Sequence, residues 1–448
     1  MENFDIITYS APDLNHNGIA AATVKSGGIA ILDMAYVQEE HTSSVQRNLD
    51  KLLNVIEKTD SIGLRVPYSK LKAHKSTLLS LNTNQPILVL CGLPQETPDK
   101  VKLPAWLTKS DIDIWAEVTG SAQVETVENP AFSKVIVKGS ESGGTIGEET
   151  TFVLVQKFIQ ATTKPIIVQG GIGLNTVAAC LAAGATGIVL EDQLLCMPES
   201  PLPKAWKKII ANLSHENTTI INRDGIQTRI VRHPYFKHNQ NIGWVSPEKG
   251  SWPIGQAIGF AHSFAQQYKT LGRLFKAIRS TALENLEAAQ KHQTLAENSP
   301  LAKAHKTRFP IVQGPMTRVS DNPEFVSAVA KAGGLPMLAL SMIAGQSAIT
   351  LLNDTKTLLG DRPWGVGILG FVPEELRLFQ LEQLKKTKPN FALIAGGTTE
   401  QVNELEQEGI ETYLHAPTAN LLRIFLGRGS KRFVFEGREC GGHVGPLG

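Results

Sequence analysis

The chain has 448 residues, 42% hydrophobic and 19% charged, with a net charge of +2. That length exceeds one ordinary core and points to two domains, and the near-neutral balance without a long basic run excludes nucleic acid as an implied partner. The four cysteines, Cys91, Cys180, Cys196 and Cys440, lack CxxC spacing, so neither a disulfide framework nor a metal site is expected.

The acidic start Met1-Glu2-Asn3-Phe4-Asp5 leads into no signal-peptide core. No apolar run is long enough to span a bilayer, so a cytoplasmic location with no membrane partner is expected.

In chain order, Asp5–Tyr9 reads as a short strand, residues 17–28 as a small-residue helix stopped by Gly27-Gly28, and Ile29–Leu32 as the next strand. The second half repeats this grammar. Pro310–Met316 reads as strand and turn, Asp321-Asn322-Pro323 starts a helix that ends at Ala332-Gly333-Gly334, and Leu335–Leu340 follows as a strand. Residues 61–65 answer 364–368, residues 86–92 answer 391–397, and residues 112–117 answer 411–415. Residues 135–147 answer the stretch from Arg432 to Gly445, with Thr145 where the later copy has His443. Six strand–turn units in one order imply a whole-domain duplication with a period of roughly 300 residues, far longer than solenoid repeats.

Each strand is followed by a helical segment, which implies parallel strands joined by helical crossovers. The first copy adds Lys164–Gly173, a strand with a glycine turn, then a helix over 176–183 with Asn175 as its cap and Gly184 as its stop, then the strand Gly187–Leu190. Eight such units predict an α/β fold, a (β/α)8 TIM barrel over residues 1–198, with chemistry at the C-terminal strand ends.

Residues 199–307 break the rhythm with prolines, then show Leu271, Leu274, Phe275, Ile278, Ala282, Leu286 and Ala289 on one helical face. They are expected to form an irregular and helical linker or lid subdomain leading into a second, incomplete TIM barrel over residues 308–448. That copy shows six strands, so the chain is expected to be part of a longer protein.

The stretch Phe309–Met316, together with Glu439-Cys440-Gly441-Gly442-His443-Val444-Gly445, resembles the nitronate monooxygenase (2-nitropropane dioxygenase) family of FMN-dependent barrels. The tandem arrangement is similar to the flavin oxidoreductase-like region at the start of certain bacterial polyketide synthases. The resemblance implies FMN as cofactor and His443 as catalytic base. It lays Gly314-Pro315-Met316 against the flavin ring beside Gly441 and Gly442, and puts Gly367 where the family usually carries an asparagine. It also puts a phosphate-binding turn at Gly170, Gly171 and Gly173 in the first copy, where Glu191 and Asp192 replace the expected glycine-threonine clamp. His415, ending the fifth strand of the second copy, either faces the flavin or is a satisfied core histidine.

The function implied is an FMN-dependent oxidoreductase or monooxygenase acting on a small nitronate, within a synthase polypeptide beside other synthase domains. The alternatives are non-catalytic scaffold barrels of a synthase, or an enoyl reductase acting on carrier-bound acyl chains. In each case the first copy is read as a degenerate barrel and the second as the catalytic one.

Overall fold

The structure, a computed structural model, describes residues 4–10, 17–37, 42–81, 85–95, 101–223, 225–236, 242–244, 246–247, 249–437 and 440. The chain forms two compact units that divide between Ala288 and Ala289.

In the first unit, the strands are β1 (Asp5–Ser10), β2 (Ile29–Asp33), β3 (Ile62–Pro67), β4 (Ile87–Cys91), β5 (Asp113–Val118), β6 (Lys134–Lys138), β7 (Gly144–Ile146), β8 (Ile166–Gln169), β9 (Gly187–Leu190), β10 (Thr218–Arg223) and β11 (Ile226–Val231). Eight of them close a barrel in the order β1-β2-β3-β4-β5-β6-β8-β9, with β9 pairing back onto β1. All eight barrel pairings are parallel. Alternation along each strand sends Ile7, Ile31, Val89, Trp115, Ile136, Ile167 and Val189 into the barrel and the intervening residues out against the helices.

The stretch 135–147 is one motif in sequence but two strands in space. After β6, the short β7 leaves the barrel and pairs antiparallel with β11, which in turn pairs with β10. This hairpin lies within residues 199–307, where only irregular and helical structure was expected. The helix Leu271–His292 follows, and its buried Leu271, Leu274, Phe275, Ile278 and Ala282 belong to the core outside the first barrel. Its Arg279 donates to the Gly27 carbonyl at 3.0 Å. The stripe on this helix is thus core as far as Ala282, Leu286 is half-buried and Ala289 exposed, and residues 199–288 pack with the first barrel.

The second unit contains β12 (Val312–Gln313), β13 (Leu335–Ala339), β14 (Gly365–Leu369), β15 (Phe391–Ala395), β16 (Glu411–Ala416) and β17 (Phe433–Phe435), a parallel sheet in chain order. Its helix Pro323–Ala332 has the termini expected: the Asn322 side chain accepts from the Phe325 amide, Pro323 opens the first turn, and Gly333 adopts φ +95°. By contrast, Asn175 makes no side-chain cap. The Thr176 hydroxyl instead accepts from the Gly173 amide at 2.9 Å. The strand expected over 310–316 shrinks to two residues. Pro310 has no amide to donate, and the Gln313 side chain bonds both the amide and the carbonyl of Met337, in place of a longer ladder.

Candidate functional site

In a (β/α)8 barrel, the side chains at the C-terminal strand ends face the reactive mouth. Continuing the inward alternation by one step places Tyr9, Asp33, Arg65, Cys91, Glu117, Lys138 and Gln169 in that layer of the first barrel. They form a connected, buried polar layer. The Arg65 guanidinium donates through Nε and Nη2 to both Glu117 oxygens at 2.6 Å, and through Nη1 to Asp33 at 2.9 Å. The Tyr9 hydroxyl donates to Glu117 at 3.2 Å, and the Lys138 ammonium stands 3.9 Å from the same carboxylate. Arg65, Glu117 and Lys138 are each 1–2% exposed.

Burial alone would raise the Glu117 carboxyl, but Arg65 and Lys138, with the bonds from Arg65 and Tyr9, outweigh it and hold Glu117 below the usual carboxylate range. Burial pushes the Cys91 thiol up to about 12, so it is an unreactive thiol at neutral pH. These residues were not singled out in the sequence. The signal available was a charge at the end of four apolar strands: Asp33, Arg65, Glu117 and Lys138.

The turn Gly170–Gly173 lies beside this layer, with Gly170 at φ +115° and Gly171 at φ +63°. Carboxylates and backbone crowd it. Glu141 accepts from the Thr151 amide at 3.0 Å, at the start of the helix Thr151–Ala161, where an anion would sit. Glu191 accepts from Gln169 at 2.8 Å, and Asp192 accepts from the Gly255 amide. Burial, then the charge of Glu191, holds Asp192 well above the usual range, and burial likewise raises Glu191. A Cβ on Gly143 would overlap the Pro253 carbonyl oxygen, and one on Gly173 would meet the Phe260 ring. Acceptors thus stand where phosphate oxygens need donors. Thr145 donates its amide to the Tyr36 hydroxyl at 2.8 Å and offers no proton acceptor comparable to an imidazole.

The corresponding layer of the second unit is different. Leu335, Met337, Phe391 and Leu393, with Tyr413 and Val434, form its inner face. One step further lie Ala339, Gly367, Ala395, His415 and Glu436. Three of these are alanine or glycine, and Ala339 and Gly367 are buried. Gly367 has a packing reason: a Cβ there would overlap the Pro315 ring. A Cβ on Gly314 would meet nothing within 4 Å, and Met316 is 41% exposed. The structure therefore brings Pro315 and Gly367 together, and the His415 imidazole on β16 meets the Glu436 carboxylate just after β17. His415 is 17% exposed. His443, Gly441 and Gly442 lie outside the described residues. Among the described residues, no group of acidic, histidine and cysteine side chains could hold a metal, and no helix is long and apolar enough to cross a membrane.

A closed parallel barrel with a second parallel sheet of the same grammar defines the class as TIM-barrel α/β. Residues 85–294 and 298–393 match the nitronate monooxygenase family, and the chain belongs to that family. It is similar, at 24% identity over 215 residues, to a (3aS,4S,5R,7aS)-5-hydroxy-7a-methyl-1-oxo-octahydro-1H-indene-4-carboxyl-CoA dehydrogenase of Rhodococcus jostii, a match covering 48% of this chain and 58% of that protein. A Mycobacterium tuberculosis protein of the same name is 23% identical over 224 residues, covering 48% of this chain and 59% of that protein. The chain thus spans under two thirds of these curated relatives. Among solved structures, FabK from Thermotoga maritima aligns with a TM-score of 0.52 at 20% identity, covering 65% of this chain and 96% of that one, a likeness of fold.

Proposed function

We propose that the protein is an FMN-dependent oxidoreductase of the nitronate-oxidising type, with its chemistry in the second unit and with a first barrel that does not bind flavin. The observation that carries this reading is the contrast between the two mouth layers. Buried charges, Arg65, Glu117, Asp33 and Lys138, fill the first, whereas the second has the small uncharged residues Ala339, Gly367 and Ala395 at the matching positions. A flat ring needs the second kind of floor. Near the Gly170–Gly173 turn, amides that a phosphate would use are already taken, that of Thr151 by Glu141 and that of Gly255 by Asp192. In the second unit, Gly314, Pro315 and Met316 would lie along one edge of the ring, with Gly367 and His415 beneath it and Gly441 and Gly442 allowing close approach of the main chain.

Bound FMN would supply the electron sink. The chain's own part is to orient the substrate and to move a proton. His443 takes the acidic hydrogen on the carbon next to the nitro group of the neutral nitroalkane, leaving the nitronate to be oxidised. The test is His443→Ala in the FMN-loaded protein. Flavin absorbance should persist while turnover of the neutral nitroalkane falls about 100-fold or more, the scale of a lost general base. Undiminished turnover would remove the assignment.

A second reading, chemistry on an acyl thioester, is supported by similarity to the indene-carboxyl-CoA dehydrogenase. The same preparation given NADPH and an enoyl thioester separates the two: consumption of the thioester with nitronates inert would favour it.

A further inference from the structure

We propose that the first unit carries a docking face for an acidic amphipathic helix of a partner protein, set between the helices Lys204–Ile210 and Ala261–Tyr268. The chain as a whole is balanced, with 42 acidic and 44 basic residues, but the segments that build this face are not. Residues 200–215 contain Lys204, Lys207 and Lys208, residues 260–283 contain Lys269 and three further cations, and neither segment has an Asp or a Glu. An open groove of about 390 Å³ lies against both helices, and no carboxylate lines it.

The cations stand on both sides of the groove. Lys204 and Lys208 come from one helix, and Lys269 follows the other. All three are exposed and make no ion pair among the described residues. Lys207 is tied down, its ammonium donating to the Met197 carbonyl at 2.6 Å, and the carboxylate that acts on it, Glu199, already accepts from the Leu271 amide at 2.8 Å. The arrangement works against the fold: Lys204 opens its helix at the end where the macrodipole is already positive, and Lys204 and Lys208 repel each other at i,i+4. Carboxylates laid along the groove relieve both costs. The floor is uncharged. It consists of the half-buried Ala211 and Ala265 and of Cys196, whose thiol burial pushes up to about 11. An open groove leaves most of a small molecule in water, so it gives such a ligand little burial. Small residues between two helices instead let a third helix approach closely, and cationic rims flanking an apolar floor match a helix whose apolar stripe is bordered by carboxylates. No large apolar side chain lines the groove, whereas faces that insert into a membrane present Trp, Phe or Leu. The face is independent of the proposed flavin reading, because all of these residues lie in the first unit.

The test is fluorescence anisotropy of the full chain with a labelled peptide of leucine and glutamate, its leucines at helical i, i+4 spacing. The comparison probes are a scrambled peptide of the same composition, the same helix with lysine for glutamate, inorganic pyrophosphate, and phosphatidylglycerol vesicles. The acidic helix should bind, the scrambled peptide should bind about tenfold more weakly, and the lysine helix should not bind. Raising the salt concentration should weaken the complex. Combining Lys204→Glu, Lys208→Glu and Lys269→Glu should weaken it about 30-fold, the scale of three lost exposed ion pairs. The same reversal at the exposed Lys303, Lys331 and Arg362 of the second unit should leave it unchanged. The urea midpoint of Lys204→Glu should not fall, because an acid suits the first turn of a helix, so loss of binding is separable from loss of folding. Absence of binding by the acidic helix, equal binding of the scrambled peptide, or equal loss in the two triple variants would each overturn the proposal. Displacement of the peptide by pyrophosphate at comparable concentration, or vesicle binding that the first triple variant abolishes, would overturn it in favour of a small anion or a membrane.

Discussion

At the residue scale, the first barrel's mouth is held by a few buried charges whose stability effects run in opposite directions with pH. Arg65 neutralises two carboxylates at once and lies 5.5 Å from the Tyr9 ring centroid and 5.8 Å from that of Tyr36. Arg65→Met would leave Asp33 and Glu117 buried against each other and should cost about 3–5 kcal/mol, read as a shifted midpoint in urea unfolding. Removing Glu117 as well, by Glu117→Gln, should recover part of that loss. Glu117 has a depressed pKa, so its contribution is present above its unfolded value and is lost as pH falls through the folded one. Asp192 behaves in the reverse sense. Its pKa is raised by burial and by Glu191, so its contribution is present at low pH and is lost as pH rises through the folded value. Asp192→Asn keeps an oxygen for the Gly255 amide and cannot ionise. The variant should therefore be more stable than the parent above the ordinary carboxylate range, by a margin that widens as pH rises toward the folded-state pKa. A margin that narrows as pH rises would contradict the raised pKa.

At the element scale, the barrel strands and the helices near residues 17–28, 176–183, 271–289 and 323–332 were legible because glycine stops and apolar runs recur in a fixed order. The strand read at Gly187–Leu190 has those bounds in the structure, and the strand read at Ile29–Leu32 extends by one residue to Asp33. The β10–β11 hairpin was missed although its sequence carries a signal: β-branched runs flank Asp224-Gly225, a turn dipeptide, and Gly225 adopts φ +82°. The mouth layer was not legible for a different reason. A charged residue at a strand end reads alike whether it meets solvent or a partner contributed by a strand 32 or 52 residues away, as Arg65 does with Asp33 and Glu117. Only closure of the barrel decides. The segment after Trp252 closes one side of that mouth because two glycines let backbones touch: a Cβ on Gly143 would overlap Pro253, and one on Gly255 would crowd the Glu141 carbonyl. Gly143→Ala should cost about 1–3 kcal/mol, the range for overpacking, and should raise amide exchange at Gly255 and Gln256, whose amides bond Asp192 and Glu141. Unchanged exchange there would mean that the segment is held by other contacts.

At the scale of the whole molecule, the two units solve the problem of sheet edges differently. The first joins β9 to β1 and leaves no barrel edge, and it covers its outer core with the helix Leu271–His292. The second is a six-stranded sheet whose outermost strands are β12 and β17, each paired on one side among the described residues. Parallel strands with unpaired amides and carbonyls are templates for further pairing. Apolar side chains near β12 sharpen the point, since Ile311 is 58% and Val312 37% exposed. The duplication is therefore symmetric in sequence grammar and asymmetric in self-sufficiency. A chain of residues 1–292, which keeps the covering helix, should express as a monomer and unfold in one cooperative urea transition. A chain of residues 293–448 alone should aggregate or remain partly unfolded, detectable by size-exclusion chromatography. If the second piece proved monomeric and cooperative while the first did not, closure of the barrel would not be the source of the first unit's stability.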